Sequence, residues 1–326
     1  MKAIVISRFG GPEVLELRDV ATPAPARGEV RVRVRATAVN RADLLQRAGF
    51  YPAPPDAPQD IPGLEYAGEI DAVGEGVTTL APGDRVFGLC GGGAYAEALV
   101  VHHRTAVKIP DGLSFTEAAA VPEAFITAWD AMVVQARLGA GEWALIHAAG
   151  SGVGTAAAQI ARAIGARVIG TARTRDKLDR ARPFGLDETI LVEGGSFAAE
   201  VRRATGGAGA DVVLELVGGG YVAEDLACLA PRGRIMLVGL TAGVRAELDL
   251  TQLLNKRAQM IGTVLRARPL EEKISAMQLL GRHLVPLFAR AALRPVIDRV
   301  LPLAQAAEAH ACVASNATFG KVVLGV

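Results

Sequence analysis

Apolar and polar positions follow two different rhythms along the chain. Up to about residue 120, short β-rich runs are broken by Gly and Pro, and several alternate with period two; they lie at 3–6, 30–34, 67–73 and 98–101. Such alternation is typical of strands that expose one face of an antiparallel sheet to solvent. The pattern therefore predicts a mostly antiparallel, barrel-like domain.

From about 122 to 265, apolar strands alternate with segments of helix length. Strands are predicted at 143–149, 167–171, 188–192, 211–216 and 234–239, and helices at 153–164 and 175–181. Strands separated by helices form right-handed βαβ units, so this region predicts a parallel, doubly wound sheet. Ligands of such sheets bind at the carboxyl ends of the strands.

The last sixty or so residues return to the first pattern. A helix is predicted at 270–282, a strand near 295–297, a helix at 303–314 and a last strand at 321–324, and we expect this tail to pack on the N-terminal domain. The sequence thus predicts an α/β fold with two domains. One is built from 1–121 and 266–326, and the other is the doubly wound domain at 122–265.

Composition excludes several classes of protein. With 35 Lys and Arg against 34 Asp and Glu, the chain has a net charge of +1. It therefore lacks the positive field that attracts nucleic acid. No apolar run approaches the roughly 20 residues that span a bilayer. The three cysteines are far apart, which argues against a disulfide framework and a cysteine metal site. We expect a cytoplasmic protein with a small-molecule substrate and no nucleic-acid or membrane partner.

A glycine-rich segment between a predicted strand and helix carries the strongest local signal. It contains Gly150, Ser151, Gly152, Val153 and Gly154. Glycines allow a tight turn and a close approach of the backbone to a pyrophosphate, and the helix N-terminus supplies N–H donors. The segment predicts dinucleotide binding, although an ordinary strand-to-helix turn has the same composition.

The end of the next predicted strand bears on the choice of cofactor. A domain that prefers NAD usually has an acidic residue there, which holds the ribose 2′-hydroxyl. Here no carboxylate follows until Asp176, whereas Arg173 and Lys177 supply cationic donors for a 2′-phosphate. These residues predict NADPH; the alternative is a solvated basic start of a helix.

Several motifs occur together in one order. They are N-R-A-D-L from residue 40, G-L-E-Y-A-G at 63–68, G-D-R-V at 83–86, A-A-A-V-P at 118–122, S-G-V-G at 151–154 and L-R-A-R at 265–268. With them the chain resembles the zinc-independent quinone oxidoreductases of the medium-chain dehydrogenase/reductase superfamily, and within these the tumour-suppressor-inducible subgroup of animals. The resemblance implies a GroES-like domain, a Rossmann domain and NADPH-dependent reduction of quinones.

The resemblance also bears on zinc. The zinc alcohol dehydrogenases of this superfamily hold catalytic zinc with a Cys where Asn40 stands and a His where Leu64 stands, and a Leu side chain has no lone pair for a metal. His147, His283 and His310 have no partner at ligand spacing and are interpreted as core or surface residues. We therefore expect no metal.

Other site residues follow from motif position. Asn40, Tyr51 and Leu64 are expected in the substrate cleft, where the Asn40 amide and the Tyr51 phenol are possible donors to a developing oxyanion. The alternatives are that the Asn40 amide is hydrogen-bonded within a turn and that the Tyr51 ring packs on the Pro-rich loop at 51–58. No residue is singled out as certainly catalytic.

Further cofactor contacts also follow from motif position. The expected positions are Thr127, Val217, Gly239, Leu240, Leu265 and Asn316. Val192 and Asn316 replace a Tyr and an Arg that hold the adenosine phosphate in bacterial relatives. This weakens the case for NADPH and leaves Arg173 and Lys177 to carry it.

Three functions remain open at this point. The first is an NADPH:quinone oxidoreductase, the second is an NADPH-dependent reductase of the C=C bond of enones or 2-alkenals, and the third is a non-enzymatic, crystallin-like NADPH-binding protein. A homodimer is also expected, because strands at 234–239 and 259–264 would form an exposed sheet edge that a two-fold partner covers.

Overall fold

The computed structural model describes all 326 residues, which form two units. The first unit comprises Met1–Ile126 and Leu265–Val326, and the second unit comprises Thr127–Val264. The first unit therefore takes up both ends of the chain. The second unit is one uninterrupted segment.

The N-terminal part of the first unit is mainly antiparallel sheet. Its strands are β1 (Lys2–Ile6), β2 (Leu15–Asp19), β3 (Glu29–Val39), β4 (Glu65–Val73), β5 (Arg85–Leu89), β6 (Ala98–His102) and β7 (Ala106–Lys108), and its helices are α1 (Arg41–Arg47), α2 (Phe115–Ala119) and α3 (Pro122–Trp129), which extends into the second unit. Strand β3 pairs antiparallel with both β4 and β6. Its alternate residues Val30, Val32 and Val34 are buried, so the period-two pattern marks the core face.

The second unit alternates strands and helices. In order they are β8 (Trp143–Ile146), α4 (Gly152–Ala163), β9 (Arg167–Ala172), α5 (Arg175–Ala181), β10 (Glu188–Leu191), α6 (Ala198–Ala204), β11 (Ala210–Glu215), α7 (Tyr221–Cys228), β12 (Leu229–Leu237), α8 (Leu250–Lys256) and β13 (Gln259–Gly262). The strands form one parallel sheet in the order β10-β9-β8-β11-β12-β13. The order reverses between β8 and β11, which confirms the predicted doubly wound sheet and places its ligand-binding edge there.

The tail of the chain rejoins the first unit. Its elements are α9 (Leu270–Leu279), α10 (Val285–Ala289), β14 (Ile297–Pro302), α11 (Ala306–Ala314) and β15 (Lys321–Gly325). Strand β15 pairs antiparallel with β3 and parallel with β14, which extends the sheet to the order β14-β15-β3-β4-β5-β7. The expected return of the tail to the N-terminal domain is thus correct.

Several predicted boundaries differ from the structure. The strand predicted at 143–149 ends at Ile146, because Ala148 adopts a left-handed conformation (φ 47°) that a strand does not accommodate. The strand predicted near 295–297 begins only at Ile297, and α9 ends at Leu279, where the chain continues as a π-helix to Leu284. No helix has both the length and the apolar composition needed to cross a bilayer.

Candidate functional site

The glycine-rich segment forms the turn between β8 and α4. Ser151 caps the helix, and its hydroxyl accepts the N–H of Gly154 at 3.0 Å. A Cβ at Gly154 would lie 2.4 Å from the carbonyl oxygen of Ala148, so only glycine fits there. The N–H groups of Gly152 and Val153 belong to the first turn, where a helix has no internal acceptors. With the buried Gly150 beside it, this turn can bind an anion.

The next turn along the sheet carries the predicted cations. Arg173 is exposed directly after β9, and Lys177 is half-buried on α5. Val192 follows β10 and is buried, and its N–H donates to the Ala172 carbonyl at 2.9 Å. Arg173 thus lies between β9 and α5, and Lys177 lies near the start of α5. Asn316 belongs to the first unit, where its side chain accepts a hydrogen bond from Arg41.

The ends of β11 and β12 are tied together by backbone hydrogen bonds. The N–H groups of Val238 and Gly239 donate to the Glu215 carbonyl at 2.9 and 3.1 Å. A Cβ at Gly239 would lie 2.6 Å from the Leu216 carbonyl oxygen, which makes this position dependent on glycine. Leu240 follows with half of its surface exposed. Val217 is half-buried in the neighbouring turn, so the structure brings these predicted positions together.

Beneath this edge lies a polar triad that the sequence did not predict. His147 Nε2 is 2.7 Å from Asp225 Oδ1 and 3.7 Å from Glu215 Oε2, and all three side chains have no exposed surface. His147 Nδ1 is 2.8 Å from the Thr171 hydroxyl. His147 was interpreted as a residue without a partner, but the fold brings β8, β9, β11 and α7 together around it.

Burial sets the protonation of the triad. Desolvation lowers the pKa of His147 to about 4, so its ring is neutral at pH 7. Desolvation also raises the pKa of Glu215 to about 7 and the pKa of Asp225 to about 7. The carboxyl groups therefore hold protons at a pH where exposed carboxyl groups have none.

In the first unit, Asn40 lies in a buried charged cluster with Glu65 and Lys321. The ammonium group of Lys321 is 2.5 Å from Asn40 Oδ1 and 2.8 Å from Glu65 Oε1. The Asn40 amide donates to Glu65 Oε1 at 2.8 Å and to the Ala38 carbonyl at 3.3 Å. Both ends of the Asn40 amide thus have partners within the chain.

Two more carboxyl groups surround this cluster. Asp43 accepts the N–H groups of Asn40 at 2.7 Å and Gly63 at 3.2 Å, and burial raises its pKa to about 6. The N–H of Glu123 donates to Glu65 Oε2 at 2.8 Å. Desolvation and the neighbouring Glu65 raise the pKa of the half-buried Glu123 side chain to about 8. Glu123 can therefore act as a proton donor at neutral pH, a role that its position directly after the A-A-A-V-P motif did not reveal.

The loop that carries Tyr51 is held by Arg266. This buried guanidinium donates to the carbonyls of Gly91 at 2.8 Å and Tyr51 at 3.0 Å, and to Gln46 Oε1 at 2.7 Å. It also lies 5.4 Å from the centre of the Tyr51 ring. Burial raises the pKa of the Tyr51 phenol, so this group is a hydrogen-bond donor at neutral pH.

The remaining predicted residues are positioned as follows. Leu64 is buried beside Glu65 at the start of β4, and Leu265 is buried at the beginning of the tail. Thr127 is half-buried on α3 at the start of the second unit. Each unit thus contributes a separate set of polar groups to which ligands can bind.

The cluster in the first unit does not fit a catalytic zinc ion. The lone pairs of Asn40 Oδ1 and Glu65 Oε1 accept hydrogen bonds or an ion pair from Lys321, a cation that would repel a metal. Leu64, at the position of a zinc ligand in the related alcohol dehydrogenases, is apolar and 1% exposed.

Comparison with known families agrees with this architecture. Residues 26–111 match the alcohol dehydrogenase GroES-like domain, and residues 152–281 match the family described as zinc-binding dehydrogenase. The quinone oxidoreductase of Sus scrofa is 36% identical over 99% of this chain and 97% of its own length. That of Pseudomonas aeruginosa is 37% identical over 99% of both chains.

Solved structures show the same fold over the full length. A structure described as an NAD-dependent alcohol dehydrogenase is 36% identical with a TM-score of 0.90, and the match covers 100% of both chains. The Escherichia coli quinone oxidoreductase complexed with NADPH is 29% identical with a TM-score of 0.89, again over 100% of both. A GroES-like domain joined to a Rossmann domain defines a medium-chain oxidoreductase. The chain belongs to the medium-chain dehydrogenase/reductase superfamily and is a homologue of its quinone oxidoreductases.

Proposed function

We propose that the protein is an NADPH-dependent, zinc-independent quinone oxidoreductase. The observation that carries the proposal is the ammonium group of Lys321 beside Asn40, which stands where the zinc alcohol dehydrogenases have a zinc-binding Cys; the same ammonium group is paired with Glu65. Without a Lewis acid to polarise a carbonyl group, oxidation of simple alcohols loses its main source of catalysis. Quinones are electrophilic enough to accept a hydride when they are oriented next to its donor.

The second unit supplies the groups that would hold the cofactor. The first turn of α4 offers N–H groups to a pyrophosphate, and Arg173 with Lys177 offers cationic donors to a 2′-phosphate. Ala172 replaces the carboxylate that would repel this phosphate. NADPH, when bound, supplies the hydride.

The first unit would supply the proton and the orientation. The Tyr51 phenol can donate a hydrogen bond to the oxygen that becomes negative as hydride arrives. Glu123, which is protonated below about pH 8, can supply the proton that this oxygen finally takes up. The guanidinium group of Arg266 keeps the Tyr51 loop in place.

The test of the activity is steady-state oxidation of NADPH with quinones, 2-alkenals, enones and simple alcohols, with and without a chelator. We expect turnover with quinones that chelator does not change. Faster turnover of enones would support the C=C reductase instead. Chelator-sensitive turnover of alcohols would overturn the proposal, and binding of NADPH without any turnover would support a crystallin-like role.

Cofactor preference tests the two cations directly. Charge-assisted hydrogen bonds contribute about 1.5–3 kcal/mol when well formed, and partial solvation reduces this value. We expect NADPH to be preferred to NADH by about ten- to a hundredfold in kcat/KM. The double variant Arg173→Ala, Lys177→Ala should lose most of this preference, whereas Arg175→Ala, exposed on the same turn, should keep it. A double variant with the wild-type preference would show that these residues form only a solvated helix start.

We also propose a homodimer. Strand β13 is the edge of the parallel sheet, and its outer N–H and C=O groups can pair with those of a second copy. Light scattering should give twice the chain mass of 33.9 kDa at micromolar concentration. A monomer mass would rule the dimer out.

A further inference from the structure

Two buried carboxylate oxygens in the second unit have no hydrogen-bond donor. They are Glu215 Oε2 and Asp225 Oδ2, and each belongs to a side chain with no exposed surface. The ligand-type atoms of Glu215, Asp225 and His147 all lie within 4.8 Å of one another, and the two carboxyl groups are within hydrogen-bonding reach. No Lys or Arg forms an ion pair with either carboxyl group. Two unpaired carboxylates in this place would carry a large desolvation cost.

The other hydrogen bonds of the triad leave one way to satisfy both oxygens. We assign His147 the tautomer with its proton on Nε2, in which Nε2 donates a hydrogen bond to Asp225 Oδ1 and Nδ1 accepts one from the Thr171 hydroxyl. Glu215 Oε1 accepts the N–H groups of Val217 and Gly218, the latter at 2.8 Å. The neutral imidazole therefore has no second proton to give, and only a proton between the carboxyl groups can pair Oε2 with Oδ2.

We propose that Glu215 and Asp225 share one proton, and that this pair positions the Val217–Gly218 turn at the cofactor-binding edge of the sheet. Glu215 is the positioning residue, since its other oxygen holds both N–H groups of that turn. Gly218 and Gly219 adopt φ angles of 74° and 59°, a left-handed conformation that favours glycine at both positions of the turn. Loss of the shared proton would place two anions together and disturb the turn.

Among the titratable groups around it, the Glu215–Asp225 pair is the one that titrates near neutral pH. Tyr221 faces it from the start of α7 with its pKa raised by burial, and the thiol of Cys228 is likewise protonated. Glu224 is also close to Asp225, but it is held ionised by the N–H groups of Phe197 and Ala198. The positive charges of Arg173 and Lys256 reach Tyr221 and Cys228 respectively. Desolvation raises the pKa of both members of the pair to about 7, which agrees with one retained proton.

The inference rests on the proposed NADPH binding, and the experiment separates the two. NADPH affinity is measured by fluorescence titration between pH 6.5 and 9 for the full-length wild type, Glu215→Gln and Asp225→Asn. In each variant an amide N–H replaces the shared proton permanently. We expect the wild-type Kd to rise about tenfold over this range, equivalent to about 1.4 kcal/mol, and the Kd of both variants to stay nearly constant.

Controls make the outcome unambiguous. Glu142→Gln, a substitution at an ion-paired glutamate of the same unit, should keep the wild-type pH dependence. A wild-type Kd independent of pH, or an unchanged pH dependence in Glu215→Gln, would overturn the inference. So would one tightly bound metal ion per chain, found by elemental analysis of the wild type and lost in Glu215→Gln, since a metal would then pair the oxygens.

A second readout does not need the cofactor. The folded protein retains a proton that the unfolded carboxyl groups release near pH 4, so its stability must fall as the pH rises through about 7. The Tm of the wild type should therefore fall between pH 5 and 7.5, the range in which only the folded pair retains the proton, and that of Glu215→Gln should fall less. If NADPH does not bind at all, the proposed function fails, while this shift in Tm still decides whether the proton is shared.

Discussion

Each unit buries a group of carboxyl side chains, but the two groups are neutralised differently. In the first unit, Glu65 is paired with Lys321, and both side chains are nearly inaccessible. In the second unit, Glu215 and Asp225 lie against the neutral ring of His147 and not against a cation. A cation compensates the first group, and we infer that a proton compensates the second.

The two groups differ in which of their carboxyl groups can change protonation near neutral pH. In the first unit the ammonium group of Lys321 lies 2.8 Å from Glu65 Oε1, and this contact compensates the charge of the carboxylate directly. A carboxyl pair that lacks a cation holds its proton only up to its own raised pKa. Near Asn40 the ammonium group of Lys321 therefore compensates the buried Glu65, whereas Asp43 and Glu123 beside it have pKa values raised to about 6 and about 8, like the carboxyl pair of the second unit.

The largest expected effect comes from the same substitution at two equally buried glutamates. Glu65→Gln removes the partner of Lys321 and leaves a buried cation uncompensated, so the free energy of unfolding should fall by about 3–5 kcal/mol. Glu215→Gln keeps hydrogen bonds to both sides, and should cost at most about 1 kcal/mol at pH 7. Urea denaturation followed by tryptophan fluorescence measures both values.

Lys321→Met is the matched control from the other side of the pair. It leaves Glu65 as an unpaired buried anion and should be about as costly as Glu65→Gln. Equal costs for Glu65→Gln and Glu215→Gln would contradict the distinction between the two units.

A smaller effect is expected from Glu123, a carboxyl group of the first unit whose pKa is raised by burial and by the neighbouring Glu65. Glu123 is protonated below about pH 8, so kcat/KM should fall as the pH rises above that value, when the proton donor is lost. Glu123→Gln should be about tenfold slower at pH 7 and should lack this alkaline decline. Tyr51→Phe, slower as well, should keep it. A decline that persists in Glu123→Gln would assign the titration to another group.

The sequence was sufficient for the fold because the fold depends on local patterns. Period-two runs marked β3 and β4, and the glycine turn with its flanking strand and helix marked the cofactor edge between β8 and α4. Helix α5 has the bounds that were predicted, Arg175–Ala181. The strand at β14 was predicted to begin too early, because its residues are only half-buried or exposed and give no clear apolar period.

The polar groups of the two sites were less accessible to prediction. Motif positions predicted Asn40 and Tyr51 as residues of the substrate cleft, and the partners of Asn40 are Glu65 on a neighbouring strand and Lys321 near the end of the chain. His147 and Asp225 are 78 residues apart and meet only because α7 packs against the parallel sheet. No local spacing encodes such contacts, since they arise from topology.

The smallest expected effect comes from an ion pair of the second unit that remains in contact with solvent. Arg234 donates from both terminal nitrogens to Glu142, at 2.9 Å each, and to the carbonyl of Ala136 at 2.8 Å. An ammonium group cannot donate to both carboxylate oxygens and the carbonyl in this way, so Arg234→Lys should lower the free energy of unfolding by about 1 kcal/mol at pH 7.

The hydrogen bonds from Arg234 lower the pKa of Glu142 despite its partial burial. This contribution is therefore present above the usual carboxyl pKa and is lost as the pH falls through the lowered value. Urea denaturation should show a smaller difference between wild type and Arg234→Lys at pH 3 than at pH 7, whereas a cost like that of Glu65→Gln would mean that solvent contact does not separate this pair from the buried one.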